Sequence, residues 1–242
     1  MSGKTMSDWE KNARAQGFEE YANSIRTNKD LDMENLKKTG LPQYNWISIS
    51  FKEFDEKNEF LNSFFKKYIE KNYGFCVRAI PTPEGEEKKH TRKNIKCFFD
   101  FEKYKKFLEN IVGKDENLFR IIISNWLPSK YGGVIFSGIE NGKIIRAEIA
   151  NDLEKLTSGE INPLASFIYD RKKLGNIEDK TEWLKYDDKI AKDYLWKVFR
   201  NYIATGDSFN PFLREGYFEF IITEKEKEIK FVDFKLNEMY LK

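Results

Sequence analysis

The sequence predicts an α+β fold on three observations. Several short runs alternate apolar and polar residues with period two, as half-buried strands do. Longer runs repeat apolar residues at the helical period. The order of the runs is mixed, with helices between the early strands and mostly antiparallel strands later. At 242 residues, 40% hydrophobic and 16% aromatic, the chain can bury a sizeable core without staples. That length suits one large domain or two lobes.

Residues 1–39 are polar and helix-compatible, and Ser7-Asp8-Trp9-Glu10 reads as a helix start, with Ser7 as the cap. Gly40-Leu41-Pro42 interrupts the pattern. Trp46 to Phe51 alternates as a half-buried strand, and 53–71 reads as an amphipathic helix with Phe54, Leu61, Phe64, Phe65, Tyr68 and Ile69 as its stripe. Tyr73 to Ile80 is a short apolar strand interrupted by Arg78, followed by a polar loop from Pro81 to His90. A second amphipathic helix is expected over 100–112, then strands at Leu118–Leu127 and Gly132–Gly138. Asn141-Gly142 is the best hairpin turn and leads into a strand at Lys143–Ile149. Ser166–Asp170 is a further strand, and 187–205 a long amphipathic helix carrying Ile190, Tyr194, Leu195, Val198 and Ile203. The chain closes on a hairpin, Gly216–Thr223 and Ile229–Phe234, around a charged turn at Glu224–Glu228.

Composition narrows the function. The 42 Lys+Arg and 40 Asp+Glu give a net charge of +2, so no global field favours nucleic acid or a membrane. Cys76 and Cys97 form neither a disulfide framework nor a CxxC motif, and the single His90 rules out a histidine-rich metal site. No apolar run approaches a membrane span, and MSGKTMSDWEKNARAQG has no hydrophobic signal core. The expectation is a cytoplasmic protein with reduced thiols. Gly3-Lys4-Thr5 is no phosphate loop, because the motif needs a glycine five residues before its Gly-Lys pair and a strand before that. The basic cluster from Lys88 to Lys93 is either a solvated loop or a loop that contacts phosphate.

The terminal hairpin carries the most specific chemistry. Glu219 sits between Phe218 and Phe220, and Asp233 between Val232 and Phe234, so alternation turns each acid away from its apolar neighbours. Acids on the same face of a hairpin come within about 5 Å and repel unless a proton or cation lies between them. Mg²⁺ fits such a pair, being hard, oxygen-seeking and prone to bridge carboxylates to substrate phosphates; the alternative is a solvent-exposed sheet face. Lys235 shares the face of Asp233 and suits either a phosphate or a salt bridge to Glu219. A half-buried Arg78 needs an anion, whether phosphate or a structural carboxylate.

These segments together resemble the nucleotide-binding domain of phosphoenolpyruvate synthases and pyruvate, phosphate dikinases, over roughly residues 36–237. Glu148-Ile149-Ala150-Asn151-Asp152-Leu153-Glu154 and the following Gly159 and Pro163 look like that family's strand, GLGE-type turn and short helix, with Glu154, Gly159 and Pro163 at matching spacing. The terminal hairpin is similar to the family's closing acidic strand and Leu-Gln-x-Arg-Pro strand. Val77-Arg78-Ala79-Ile80-Pro81-Thr82 resembles its Val-Arg-Ser-Ser-x-Thr. The stretch Ile122 to Pro128 followed by Gly133-Val134 looks like its linker and next strand, and Gly40-Leu41-Pro42 is similar to its G-x-P stretch. Departures are Asn151 and Leu153 for two glycines, Asp233 for Gln and Lys235 for Arg.

The resemblance implies an ATP-grasp-like two-lobe fold with mostly antiparallel sheets and flanking helices. Beyond the helical segment read at 1–39, it implies one lobe over 40–115 and a second over 116–242 that carries the metal and nucleotide site. ATP and Mg²⁺ are the implied cofactors. Arg78 and Lys235 are the implied catalytic cations, and Glu219 and Asp233 the implied metal ligands. Arg78, Lys88, Asn125, Trp126, Leu127, Glu148, Glu154 and Lys235 would bind the nucleotide, with Asn125 to Leu127 as the linker that reads adenine. A lone Trp126 also suits a core position, and Glu154 also suits a plain helix N-terminus.

The implied reaction is phosphoryl transfer from ATP by a ligase or phosphotransferase, to a small-molecule acceptor or a separate partner protein. No segment resembles the dikinases' phosphohistidine or pyruvate-binding domains. A degenerate module that binds nucleotide or protein without chemistry is a second expectation. A nucleic-acid binder using the 88–93 loop and exposed aromatics is a third and less favoured one.

Overall fold

A computed structural model describes residues 29–50, 74–82, 116–126, 128–138 and 144–235, together with positions 52, 53, 63, 64, 66, 84, 85, 88, 93, 94, 106, 109 and 110. The helices expected at Ser7–Glu10, over 53–71 and over 100–112 lie outside the described residues or touch them only at single positions. So does the Asn141-Gly142 turn.

The chain divides into two compact units, residues 44–127 and residues 1–43 with 128–242. The first holds a four-stranded sheet ordered β1 (Trp46–Ser50), β4 (Phe119–Trp126), β2 (Gly74–Pro81), β3 (Lys93–Asn94), every pair antiparallel. A 3₁₀ turn at Glu116–Leu118 leads into β4. One face of β4 and β2 carries Ile121, Ile123, Phe75, Val77 and Ala79, all 0% exposed, with the buried Asn125 at its end. β4 pairs with both β1 and β2, and the division of the chain falls after it.

The second unit is built on a six-stranded antiparallel sheet ordered β12 (Ile229–Lys235), β11 (Gly216–Thr223), β5 (Ser129–Gly138), β6 (Ile144–Ala150), β7 (Ala165–Asp170), β8 (Thr181–Tyr186). Helix α2 (Leu153–Thr157) links β6 to β7, and α3 (Lys189–Val198) follows β8. Asp188 starts α3 by accepting from the backbone N–H of Ile190 at 2.8 Å and of Ala191 at 3.0 Å. The expected helix over 187–205 ends earlier. Phe199–Ile203 widens into a π turn, and Ala204–Thr205 (β9) pairs with Phe212–Leu213 (β10), which needs an extended backbone. β8 is not expected from the sequence, because Thr-Glu-Trp-Leu-Lys-Tyr lacks a clean alternation.

One sheet face forms the core. Ile135, Ala147, Phe167, Tyr169, Phe218, Phe220 and Phe234 meet Ala191, Leu195, Val198 and Phe199. Phe167 sits at the centre of an aromatic cluster, its ring centroid 5.0 Å from Phe199, 5.1 Å from Trp183 and 5.9 Å from Trp196. The β12 edge is covered: α1 (Lys29–Lys38) packs on it, Gln43 makes a parallel bridge to Phe231, and the Phe231 N–H donates to Pro42 O at 2.7 Å. Gly40 ends α1 at φ +69°, a conformation glycine adopts at no steric cost.

Candidate functional site

The other face of the six-stranded sheet carries the charged side chains. Its register is Asp233↔Glu219, Glu219↔Val134, Val134↔Glu148 and Glu148↔Ser166. Directly opposed residues of antiparallel strands share a face, so Asp233, Glu219 and Glu148 form one acidic row with Val134 between the second and third. Strands lie about 4.8 Å apart, which puts Glu219 and Asp233 side by side and Glu148 about 10 Å from Glu219. Two residues along, a parallel row runs Lys235, Tyr217, Phe136, Arg146, Ile168. Cations therefore stand at both ends of an aromatic pair, beside the acids.

A bulge makes this arrangement possible. Glu219 pairs with Asp233 and Phe220 with Phe231, which leaves Val232 unopposed. Simple alternation would send Phe231 and Asp233 to the same face. The extra residue instead places Phe231 (0% exposed) and Phe234 (3%) in the core and turns Asp233 to the opposite face. Asp233 is itself buried, and its Oδ1 accepts from the Phe234 N–H at 2.9 Å. Glu219 is half-buried, and its Oε1 accepts from the Tyr217 hydroxyl at 2.9 Å.

Glu148 is half-buried, and burial pushes its carboxyl pKa up, against the pull of Arg146, which lowers it. Helix α2 bounds the acidic row on one side. Asp152 caps it through Oδ1 to the Lys155 N–H at 3.0 Å, and Gly159 at φ +75° follows its end. Gly132 on β5 accommodates Leu153: a Cβ at Gly132 would lie 2.5 Å from the Leu153 Cβ.

The remaining expected residues are placed as follows. Glu154 is exposed in the first turn of α2. In the other unit, Arg78 is half-buried on β2 opposite Ile122. Asn125 lies opposite Phe75, on the face away from Arg78; its backbone N–H donates to Asn45 O at 3.2 Å, and its Oδ1 is buried without a hydrogen-bond partner among the described residues. Lys88 is exposed and ion-paired with Glu84 at 2.8 Å. Trp126 ends β4, its side chain lies outside the described residues, and Leu127 lies wholly outside them.

Arg146, Tyr217, Ser166 and Gly132 were not singled out from the sequence. Arg146 and Tyr217 each precede a site acid by two residues, so strand parity alone would have flagged them. Gly132 and Ser166 become visible only through long-range pairing. Among the described residues no helix is long and apolar enough to cross a membrane.

No protein-family model matches the chain. A Schizosaccharomyces pombe protein described as "Putative mitochondrial ATP-dependent helicase irc3" is 20% identical over 127 residues, 52% of this chain and 21% of its own length. Among solved structures, the D-alanine-D-alanine ligase from Coxiella burnetii aligns with a TM-score of 0.41 at 10% identity, covering 86% of this chain and 46% of that one. D-alanyl-alanine synthetase A from Vibrio cholerae gives 0.40 at 12%, covering 90% and 57%. Macrocyclase MdnC from Microcystis aeruginosa, bound with precursor peptide MdnA, gives 0.38 at 14%, covering 89% and 55%. The chain spans about a fifth of the curated relative and about half of these structures.

Proposed function

We propose that this chain is an ATP- and Mg²⁺-dependent ligase or phosphotransferase of the ATP-grasp type. The observation that carries the proposal is the Glu219–Asp233 pair opposed across β11 and β12, on the sheet face turned away from the core, with Lys235 two residues beyond. The donor set fits Mg²⁺. Among the described residues no group of three or more His, Cys, Asp or Glu side chains is placed to hold an ion, so the pair would supply only part of a coordination shell. That is how Mg²⁺ is commonly held, by one or two carboxylates with substrate phosphates and water completing the octahedron. Glu219 and Asp233 would hold the ion, and when bound it would neutralise charge on the transferring phosphoryl group.

The residues of the chain then divide the work by charge. Lys235 and Arg146 would hold anionic oxygens of nucleotide or acceptor, one at each end of the Tyr217–Phe136 pair. Glu148, with its raised carboxyl pKa, would accept hydrogen bonds from the nucleotide sugar. Assigning Arg78, Lys88, Asn125, Trp126, Leu127 and Glu154 to the nucleotide rests on the sequence resemblance, as does the dikinase branch itself. The acceptor would be a small-molecule group or a residue of a separate protein.

Thermal unfolding with and without ATP, each with and without Mg²⁺, tests the proposal. Ligand at 100 times its dissociation constant adds about 2.7 kcal/mol of stability. A rise in midpoint that needs both ATP and Mg²⁺, and that Glu219→Gln abolishes, supports it. Glu219→Gln binding ATP with Mg²⁺ at wild-type strength would sink the metal assignment. A rise with ATP alone would support a binding module without chemistry, a reading favoured by Asn151 and Leu153 in place of turn glycines. Binding to RNA or DNA that falls steeply with salt and ignores ATP would replace both.

A further inference from the structure

Tyr217 lies on the same strand and face as Glu219, two residues before it, and its hydroxyl donates to Glu219 Oε1 at 2.9 Å. Its ring is braced from the next strand: Phe136 lies opposite in register, with ring centroids 6.3 Å apart and planes inclined by 60°. The two rings sit side by side between Lys235 and Arg146 in the second row of the polar face. We infer that Tyr217 is a positioning residue for metal binding, holding the Glu219 carboxylate beside Asp233 so that the pair is set before a cation arrives. This inference rests on the proposed role of Glu219.

The physical argument concerns freedom. A glutamate has three side-chain torsions, and a half-buried carboxylate beside a second acid would swing away from it to relieve repulsion. A hydrogen bond from a phenol to a charged oxygen opposes that swing. It is effective only if the phenol is itself fixed, and the Phe136 contact fixes it. Without the hydroxyl, a larger share of ordering Glu219 would fall to the cation, and the cation's affinity would bear that cost.

The experiment uses Mn²⁺, a hard, paramagnetic stand-in for Mg²⁺ with similar oxygen ligands. Free Mn²⁺ is followed by electron paramagnetic resonance while it is titrated into the full chain, with and without ATP. Wild type, Tyr217→Phe and Phe136→Leu are compared, and each variant's unfolding midpoint and metal-free ATP affinity are measured alongside. Tyr217→Phe keeps the ring and removes the hydroxyl. The expected result is Mn²⁺ binding weakened about tenfold, the size of one hydrogen bond to a charged group, with metal-free ATP affinity unchanged. Phe136→Leu, which leaves the hydroxyl but unbraces it, should weaken Mn²⁺ binding by a smaller factor in the same direction. A lower midpoint with unchanged Mn²⁺ affinity would mean a purely structural tyrosine and overturn the inference alone. Wild type that takes up no Mn²⁺ with or without ATP would overturn this inference and the metal assignment of Glu219 together. If Tyr217→Phe fails to fold, Phe136→Leu decides between the same outcomes.

Discussion

Replacing Gly132 with alanine tests how α2 is seated beside the acidic row. Gly132 is not in the left-handed region, so its role is space, not backbone freedom. An added Cβ would lie 2.5 Å from the Leu153 Cβ and 3.0 Å from both the Leu153 Cα and N. Three of the contacting atoms belong to the backbone or are fixed to it, so no rotamer change relieves them. Either α2 lifts from β5 or the strand yields. Overpacking of this kind costs about 1–3 kcal/mol, which for a chain of this size lowers the midpoint by roughly 2–12 °C. A double-mutant cycle by denaturant unfolding isolates the cause. Leu153→Ala keeps the offending Cβ, so its effect should add to that of Gly132→Ala. Leu153→Gly removes the 2.5 Å contact, so the pair should lose less than the sum. A Gly132→Ala chain as stable as wild type, or rescue by Leu153→Ala equal to that by Leu153→Gly, would refute the steric account.

Other expected outcomes follow from the same geometry. Glu148→Gln should raise stability near pH 7.5. Burial lifts the folded carboxyl's pKa, so ionising it costs stability that appears as pH rises past the ordinary value of 4.5. The gain should vanish in melts below pH 4, and a variant less stable than wild type only at neutral pH would contradict it. Asp188→Ala should cost about 0.5–2 kcal/mol at neutral pH through loss of the α3 cap. The Ala191 N–H bond, first among several, holds the Asp188 carboxyl below its usual 3.8. The wild-type advantage should therefore shrink as pH falls through that lowered value, and an advantage constant down to pH 2 would count against the cap. Phe167→Ala should cost about 3–5 kcal/mol, because the ring is 0% exposed among Trp183, Trp196 and Phe199. A midpoint within a degree of wild type would show that the cluster does not hold the unit together.

Much of the second unit was legible because its strands alternate over one buried face. Gly132–Gly138, Ser166–Asp170 and the terminal hairpin all fall on observed strands, and Glu219 does oppose Asp233. The bulge at Val232 was not legible. Phe231, Val232, Asp233 and Phe234 place one polar residue among three apolar ones, which suits a strand without marking a bulge, and only the pairing shows that Val232 is unopposed. Which sheet Phe119–Trp126 joins was also hidden, since strand neighbours far apart in sequence leave no local mark. The end of α3 was missed for a related reason. Ile203 keeps the apolar spacing of a helix, but a partner strand at Phe212–Leu213 draws the backbone of Ala204 into extension.

The two faces of the sheet make opposing demands, and the bulge reconciles them. The core face needs Phe218, Phe220, Phe231 and Phe234 inward, all at most 3% exposed. The polar face carries an acid on β12 level with Glu219. A regular strand cannot satisfy both, because Phe231 and Phe234 have opposite parity. One unopposed residue resolves the conflict locally, at the position where the acid must be aimed. Glu148 is destabilised by its own burial, and Asp233 is carried on a hairpin whose core side is filled by phenylalanines. Removing Val232 should therefore remove the conflict together with the bulge. Phe231, Asp233 and Phe234 then alternate, so an unbulged ladder keeps Phe231 opposite Phe220, Asp233 opposite Glu219 and Phe234 opposite Phe218. The deletion variant should keep an unfolding midpoint close to that of wild type and should keep Mg²⁺-dependent nucleotide binding. Loss of either would show that the bulge does more than absorb Val232, and that its local twist aims Asp233.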